Sequence, residues 1–528
     1  MSESDDYHQR ALVEHRRLSF RSWLIPSVLA LVAAGLVFYR INISLWYDET
    51  FSYGVSTQPW HTFLGHYLWG VEANMALYYV VLRGWLWLTG VMGLNPVEVT
   101  VRFPSAVFAV AATVVLYLLG KRLGGWVAGA IAAGLYATNF LQLIVAQNAR
   151  SYSLQLLLLG LSWYCLLAAV EGDPHQRRWW AGYVVTSTLA VYAALFSGLV
   201  LIAQVLAIAI ILVSPGPWQA RLRGTLRWFA GSLVLIGVLL VPIAVDAAIH
   251  GGPNDWILPA HLGDIRTFFL FISGNNIWYE RLLIGTGLLA GILALLAWAR
   301  PQWASRVTSA RPEWFATVIA LSCWLVVPIV VSFALTRPGL NLHLFFHRYL
   351  IVVVPAICLL VGLGVSAVRW RPAQVVLAVL LALVAVPQVP QYYKAARVQE
   401  FHEPTVWIQQ RYQPGDGLIC DPVVQCGVPI SYYLAAYPGR AHFDADSPGR
   451  FIWENTSWVP IDADRVLAYA AAHRRVFFIV APIGNGTPAA DEAKALESAL
   501  GQRYAETDHL TAHAPAADTS VYLYQASP

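Results

Sequence analysis

Long apolar runs constrain this chain more than any other feature. Runs of roughly 17–22 residues with few or no charges have the length that an α-helix needs to cross a bilayer. Only 12% of the 528 residues are charged and 58% are hydrophobic, whereas a soluble domain carries about 25% charged residues. The sequence therefore predicts a polytopic membrane protein. The runs lie at 23–39, 101–119, 125–142, 152–170, 179–194, 196–213, 228–249, 281–299, 315–335, 349–367 and 373–389.

Arginine and lysine mark one side of the membrane. Short basic loops favour the cytoplasmic side, and the basic loops share that side only if the chain crosses once between residues 40 and 120. We therefore expect about eleven spans, a cytoplasmic segment 1–22, a transmembrane domain 23–390 with a first outer loop at 40–100, and an extracytoplasmic domain 391–528. The basic loops lie at 15–21, 120–124, 175–180, 221–227, 300–311 and 369–371.

The stretch Met75–Met92 is apolar, but it is predicted to lie along the outer interface. Arg83 stands at its centre, and an arginine at mid-bilayer costs at least about 2.5–3.5 kcal/mol. Its tryptophans and tyrosines suit an interfacial helix.

The region 391–528 has the composition of a soluble domain. Helix-like stretches at 403–412, 428–436, 462–473 and 490–501 alternate with the short apolar strands "GLIC", "RVFFIVA" and "SVYLYQA", which predicts a small α/β domain. It has no Walker or Rossmann fingerprint. Cys420 and Cys426 could pair if this region is outside the cytoplasm.

Two adjacent carboxylates, Asp48 and Glu49 in "SLWYDETFSYG", follow the first run. Carboxylates at the edge of hydrocarbon are costly to desolvate and are candidates for function, although they could also cap the helix that follows. Arg150, Arg337 and Arg348 are isolated arginines on the same predicted side. Cations near an acid predict a phosphate site beside a general base.

A single base favours one type of sugar chemistry. A glycosidase needs two carboxyl groups about 5–9.5 Å apart across the substrate, and sequence neighbours such as Asp48 and Glu49 usually point in different directions. Direct displacement at a sugar carbon needs one base and a good leaving group. Polyprenyl-phosphate sugars supply such a group outside the cytoplasm, and arginines stabilise the departing phosphate.

Several segments resemble the C-type integral-membrane glycosyltransferases, the group of protein O-mannosyltransferases and lipid A aminoarabinose transferases. The resemblance runs in family order over about residues 1–390 and indicates the superfamily but no particular substrate. The segments are "LWYDETFSYG", "EANMALYYVVLRGWLWL", "VRFPSAVFAVAATVVLYLLGKRLGG", "AQNARSYSLQLLLLGLS" and "FFHRYLIVVVPAICLL".

The resemblance implies an all-α transmembrane bundle with interfacial helices in its first outer loop. It also implies that Asp48 is the base and that Glu49 assists it or contacts the acceptor. Arg150 and Arg348 would hold the donor phosphate, with Tyr349 beside the second, and Glu72 matches the acidic position of the interfacial segment. Further candidates are Arg337 for the phosphate and Asn74, Tyr152 and Trp256 for substrate.

The chain departs from the family pattern where a metal would bind. Asn74-Met75-Ala76 replaces His-Pro-Pro, and Tyr192-Ala193-Ala194 replaces Tyr-Thr-His, so the ligand set is incomplete. We expect metal-independent transfer and no cofactor. His343 and His347 have a spacing that suits zinc, but no third ligand lies near them in sequence.

The predicted function is transfer of a hexosyl or pentosyl unit from a polyprenyl-phosphate donor, with inversion, at the outer face of a prokaryotic cytoplasmic membrane. The acceptor is a glycan, a lipid or a protein, membrane lipids are the other partners, and no nucleic acid is expected. The alternatives are an oligosaccharide ligase or polymerase with a lipid-diphosphate donor, and a transporter of lipid-linked sugars. The near absence of ionisable groups at mid-span counts against transport.

Overall fold

The computed structural model describes residues 23–172, 175–251, 257–337, 342–396, 398–421, 426–437, 439, 441–481, 488–515 and 517–526. Helices dominate as far as Ala395, and a small sheet with its own helices follows.

Sixteen numbered helices and several shorter helical segments form most of the described chain before the sheet region. Between α2 and α3, a short helix Trp60–Thr62 continues into a π-helix Phe63–Val71 and a 3₁₀ turn Ala73–Met75, and a 3₁₀ turn Tyr349–Val353 leads into α14. The helices are α1 (Trp23–Phe38), α2 (Tyr47–Thr57), α3 (Ala76–Val91), α4 (Glu98–Thr138), α5 (Phe140–Ala146), α6 (Tyr152–Val170), α7 (Gln176–Ala193), α8 (Ser197–Val213), α9 (Pro217–His250), α10 (Leu262–Ile272), α11 (Ile277–Ala299), α12 (Pro301–Val307), α13 (Trp314–Leu335), α14 (Val354–Ala367), α15 (Arg371–Ala385) and α16 (Gln388–Ala395).

The chain forms two compact units. The helical unit comprises residues 1–39, 105–147 and 151–390, and the mixed unit comprises residues 40–104, 148–150 and 391–528. The mixed unit is thus assembled from the predicted first outer loop, three residues after α5 and the C-terminal region.

Seven of the described helices are long and apolar enough to cross a membrane. They are Glu98–Thr138, Tyr152–Val170, Pro217–His250, Ile277–Ala299, Trp314–Leu335, Tyr349–Ala367 and Arg371–Ala395, and the shorter helices Trp23–Phe38 and Ser197–Val213 are also apolar. The multi-pass membrane architecture is confirmed, and every predicted run overlaps a described helix. The count of eleven crossings stays a prediction.

The 41-residue helix α4 contains two predicted runs because it folds back on itself. Gly125 has φ +86° and breaks the helix, a conformation that glycine adopts without steric cost. A Cβ built on Gly120 would lie 2.7 Å from the Cα of Gly129, although the two residues would be about 13 Å apart along a straight helix. Small residues let two helical backbones approach this closely.

We expect Gly120→Ala to destabilise the helical unit because its methyl group would press on the backbone of the opposite arm. Gly134→Ala is the matched control, since a Cβ there meets nothing within 4 Å. Thermal unfolding in detergent should show a melting temperature lowered by several degrees for Gly120→Ala only. Equal melting temperatures for the two variants would contradict the close packing of the arms.

The C-terminal part of the mixed unit is a small α/β sheet region, as predicted. The sheet has the order β1-β4-β6-β5, with β1 parallel to β4 and the other pairs antiparallel, and β2 and β3 form a separate hairpin. The elements are α17 (His402–Arg411), β1 (Gly417–Cys420), α18 (Gly427–Ala436), β2 (Phe451–Ile452), β3 (Ser457–Trp458), α19 (Ala463–Ala471), β4 (Arg475–Val480), α20 (Pro488–Gly501), β5 (Tyr504–Ala512) and β6 (Thr519–Ala526).

Alternate residues of the central strands fill two cores. Phe477 and Ile479 pack on one face of the sheet with residues of α17 and α18. Val476 and Phe478 pack on the other face with residues of α19 and α20. The period of two in a strand explains why successive residues reach opposite faces. All five cysteines are free and buried, including Cys420 and Cys426.

Candidate active site

Helix α2 places Asp48 in its first turn, within the mixed unit. The Asp48 carboxylate lies 4.0 Å from Nε of Arg150, and its side chain keeps 20% of its surface exposed. Ser52, one turn later, donates its hydroxyl to the backbone carbonyl of Asp48 at 2.9 Å. An acid that is partly exposed and close to a cation can be both ionised and reachable by a substrate.

Glu49 is the centre of a buried ion pair with Arg102. Nε and Nη2 of Arg102 donate to the two Glu49 carboxylate oxygens at 2.7 and 2.5 Å, and the two side chains are 1–3% exposed. The backbone N–H of Ala149 donates to the same carboxylate at 3.0 Å. The remaining N–H groups of Arg102 donate to the carbonyl oxygens of Ile41, Ile43 and Ser44.

This ion pair joins three separate stretches of the sequence: the loop before α2, the start of α4 and the segment 148–150. Glu49 also accepts a hydrogen bond from the backbone N–H of Trp46 at 3.4 Å, so it caps α2 as well. Because the Glu49 carboxylate is committed to these donors, its position favours an assisting role over contact with an acceptor.

Arg150 is surrounded by acidic and hydroxyl groups. Its Nη1 lies 3.5 Å from the Ser52 hydroxyl and 3.4 Å from the Tyr79 hydroxyl. Tyr79 in turn donates to Glu72 at 2.8 Å. The predicted residues Asp48, Arg150 and Glu72 therefore meet in one cluster, which α2, α3 and the segment 148–150 assemble.

Burial raises the pKa of the Glu72 carboxyl group. The charge of Arg150 and the hydrogen bond from Tyr79 oppose this shift, and the charge of Asp48 adds to it. A raised pKa makes Glu72 a weaker acid than an exposed glutamate, whereas Asp48 keeps part of its surface exposed beside Arg150. Asn74, two residues further on, is exposed.

Arg348, Tyr349 and Arg337 belong to the helical unit. Arg348 and Tyr349 are partly buried at the start of the 3₁₀ turn before α14, while Arg337 is exposed after the end of α13. Tyr152 opens α6 and is buried. Whether these residues act with Asp48 stays a prediction, and Trp256 lies outside the described residues.

His347 stays neutral at physiological pH. Its ring packs on Phe271 and Phe346 at centroid distances of 4.6 and 4.2 Å. Burial and the adjacent charge of Arg348 lower the pKa of His347 to about 4. Nδ1 of His343 contacts the carbonyl of Ile257, so each histidine has a local partner. No group of three or more potential metal ligands occurs among the described residues, and metal independence stays a prediction.

Acid should destabilise the wild-type protein more than a His347→Phe variant. The pKa of His347 falls from 6.5 to about 4 on folding, so the unfolded chain binds a proton that the folded chain excludes. His347 therefore has no effect on the free energy of unfolding above about pH 6.5, and it lowers that free energy progressively as the pH falls toward about 4. The difference between the two melting temperatures should therefore change across this range, and parallel curves would contradict the shift.

Sequence reasoning missed Arg102 and the partners of Arg83. Both arginines lie on the predicted outer side, which is otherwise poor in cations, and that isolation was the available signal. Nη1 of Arg83 donates to the carbonyls of Ser56 and Gln58 at 3.0 and 2.7 Å, and its guanidinium lies 4.0 Å from the ring centroid of Trp60. The arginine thus holds α3 to the end of α2.

The long apolar helices and the small C-terminal sheet belong to a multi-pass membrane protein whose fold is that of the C-type glycosyltransferases, in agreement with the resemblance seen in the sequence. Residues 67–244 match the family model described as dolichyl-phosphate-mannose-protein mannosyltransferase. A search of curated proteins finds no match.

Solved structures share this fold at low sequence identity. The structure is similar to apo ArnT from Cupriavidus metallidurans, with a TM-score of 0.53 and 15% identity over 96% of this chain and 98% of that one. ArnT from the same organism bound to undecaprenyl phosphate has a TM-score of 0.52 and 14% identity, over 95% of this chain and 98% of that one. The archaeal oligosaccharyltransferase AglB from Archaeoglobus fulgidus, in complex with an inhibitory peptide and a dolichol-phosphate, has a TM-score of 0.50 and 13% identity. The match covers 92% of this chain and 72% of that one.

Proposed function

We propose that the protein transfers a monosaccharide from a polyprenyl-phosphate donor to an acceptor hydroxyl at the outer face of a prokaryotic cytoplasmic membrane. The observation that carries the proposal is the placement of Asp48, partly exposed, 4.0 Å from Arg150. An ionised acid beside a cation supplies both halves of the required chemistry, a proton acceptor and a group that binds phosphate.

The reaction is a single displacement. Asp48 accepts the proton of the acceptor hydroxyl, whose oxygen forms a bond to the anomeric carbon of the donor. The bond from that carbon to the phosphate oxygen breaks, and the polyprenyl phosphate leaves with the electron pair. Attack from the side opposite the phosphate inverts the anomeric centre.

Arginine is suited to the charge that grows on the departing phosphate. Its guanidinium binds phosphate oxygens with two parallel hydrogen bonds, and such preorganised donors stabilise charge that develops in the transition state. We assign this role to Arg150 and Arg348, with Tyr349 beside the latter. Glu49 holds the backbone of Ala149 next to Arg150, which supports a positioning role for Glu49.

The helical unit offers an apolar cleft for the lipid part of a donor. It has a volume of about 600 Å³ and lies among α10, α11, α13 and α14. Gly287 and Gly291 leave open space on α11, since a Cβ there meets little or nothing within 4 Å. Glu280 and Ser273 line one end of the cleft. Its length along α11, from Glu280 to Leu295, is about 22 Å at the rise of an α-helix.

The ligands of two structural relatives guide the choice of donors for the assay. ArnT from Cupriavidus metallidurans has been solved with undecaprenyl phosphate, and AglB with a dolichol-phosphate. Purified protein would be incubated with radiolabelled polyprenyl-phosphate and polyprenyl-diphosphate sugars and with envelope extract as acceptor.

We expect labelled product and a released lipid monophosphate from the first donor alone, with the anomeric configuration inverted. Release of a lipid diphosphate would instead support the ligase or polymerase alternative. Movement of intact donor across proteoliposomes without bond cleavage would support the transporter. Either result would reject the proposed reaction.

A further inference from the structure

The β2–β3 hairpin of the C-terminal region packs directly on the helix that carries Asp48. A Cβ on Gly54 of α2 would overlap the ring of Trp453, so this tryptophan lies against the backbone of α2. The Tyr67 hydroxyl donates to the backbone carbonyl of Trp453 at 2.7 Å. Trp453 thereby fixes the turn of the hairpin to the predicted first outer loop.

A continuous set of aromatic rings connects the hairpin to the first turns of α2. The ring of Phe51, three residues after Asp48, lies 5.7 Å from Phe451 and 5.5 Å from Trp453. Tyr47, directly before Asp48, lies 6.4 Å from Trp458. Phe451 is buried, whereas Tyr47 and Trp458 keep part of their surface exposed.

Polar groups occupy the hairpin turn that precedes Trp458. Glu454 and Asn455 are exposed in the hairpin turn, and Asn455 accepts hydrogen bonds from the backbone and hydroxyl of Ser457 at 3.3 and 2.7 Å. Burial raises the pKa of the Tyr47 hydroxyl, and the charges of Asp48 and Glu72 raise it further. Tyr47 therefore keeps its proton and can donate a hydrogen bond beside Asp48.

We propose that Tyr47 and Trp458 form an acceptor subsite for a carbohydrate ring, which presents a hydroxyl group to Asp48. This inference rests on the proposed function and names the class of acceptor. Partly exposed tyrosine and tryptophan offer an apolar face together with a polar edge, which matches the apolar face and hydroxyl edge of a sugar. Glu454 and the Tyr47 hydroxyl supply hydrogen bonds to the same ring.

The arrangement favours a sugar over a phosphorylated lipid head. The turn residues 453–456, all of them described, include an acid and an amide but no cation, so they would not attract a phosphorylated head group. The hairpin pairs its two short strands with each other, Phe451 with Trp458 and Ile452 with Ser457. Aromatic rings and hydroxyl groups are thus the main chemical features of this surface of the β2–β3 hairpin.

The test measures binding to full-length Asp48→Asn protein in detergent, so that turnover does not affect it. The probes are envelope glycan fragments prepared by partial hydrolysis, a serine- and threonine-rich peptide, and lipid A. We expect the glycan fragments to bind and Trp458→Ala to weaken their binding about fivefold to tenfold, the value of one aromatic contact. Trp458→Phe should retain most of the affinity.

Two further variants separate recognition from folding. Trp87→Ala removes a tryptophan of the same unit that is 71% exposed and should leave glycan binding unchanged. Glu454→Ala changes an exposed turn position and should weaken binding without lowering the melting temperature. Should Trp458→Ala unfold the protein, Glu454→Ala decides the question alone.

Unchanged glycan affinity in both Trp458→Ala and Glu454→Ala would overturn the subsite, as would stronger binding of the peptide or of lipid A. The assays distinguish failure of the subsite from failure of the proposed function. Glycan binding with no transfer by the wild-type protein would reject the reaction but keep the subsite, whereas transfer to a peptide would reject the subsite but keep the reaction.

Discussion

Asp48→Asn is expected to lower the rate of sugar transfer by about 10²–10⁴-fold, the usual contribution of a general base. The amide keeps the size and much of the hydrogen bonding of the carboxylate but cannot accept the proton of the acceptor. The measurement is the initial rate with a labelled lipid-phosphate sugar at saturating acceptor. Donor binding should change little, because Arg150 keeps its other neighbours Ser52 and Tyr79.

Asp446→Asn is the matched control for this experiment. Asp446 is an exposed aspartate of the same unit, and its replacement should leave the rate within about twofold of the wild-type value, as for a surface residue remote from any site. A rate near wild type for Asp48→Asn, with the control also unchanged, would reject Asp48 as the base. The melting temperatures of both variants show whether a loss of rate reflects chemistry or folding.

Arg102→Leu is expected to destabilise the mixed unit by about 3–5 kcal/mol, because it leaves the Glu49 carboxylate buried without its ionic partner. Transfer should also be lost, since the same carboxylate holds the N–H of Ala149 next to Arg150. The measurement is chemical or thermal unfolding followed by a probe in the mixed unit, together with the transfer rate.

The double variant Arg102→Leu, Glu49→Leu distinguishes charge burial from lost packing. Replacing both partners of a buried pair removes the unpaired charge and often recovers stability. We therefore expect the double variant to be more stable than Arg102→Leu alone but still inactive. As a comparison, Arg122→Gln breaks a more exposed pair with Glu171, 19% and 28% exposed, and should cost no more than about 1 kcal/mol. A similar loss of unfolding free energy in Arg102→Leu and Arg122→Gln would contradict the larger effect expected from breaking the buried pair.

The sequence predicted the helical architecture well because hydrophobic length and the charge of short loops act locally. Arg83 was the main reason to predict an interfacial position for Met75–Met92. The structure describes there the separate helix α3, and its position at the interface stays a prediction. The alternation of strands and helices after residue 400 was also visible, since "RVFFIVA" and "SVYLYQA" have no competing interpretation. Strand β5 was missed because "YAETDHLTA" is largely polar.

The site was predictable only in part because its contacts join residues far apart in the sequence. Asp48 and Arg150 were chosen for their charge and placement, and the structure brings them together. Arg102 is isolated on the predicted outer side, but no sequence pattern links it to its partner Glu49, 53 positions away. The contact between Gly54 and Trp453 was beyond sequence reasoning, since a glycine and a distant tryptophan share no pattern.

The assembly of the mixed unit from distant stretches has a consequence for biosynthesis. The Tyr433 hydroxyl accepts from the N–H of Leu45, a partner 388 positions earlier, and donates to Glu98. A ribosome must therefore complete most of the chain, with its helices already inserted, before the loop around Asp48 can acquire these bonds. Contacts of such long range form slowly, so the nascent chain passes through a period in which its membrane helices are inserted while the loop around Asp48 still lacks these bonds.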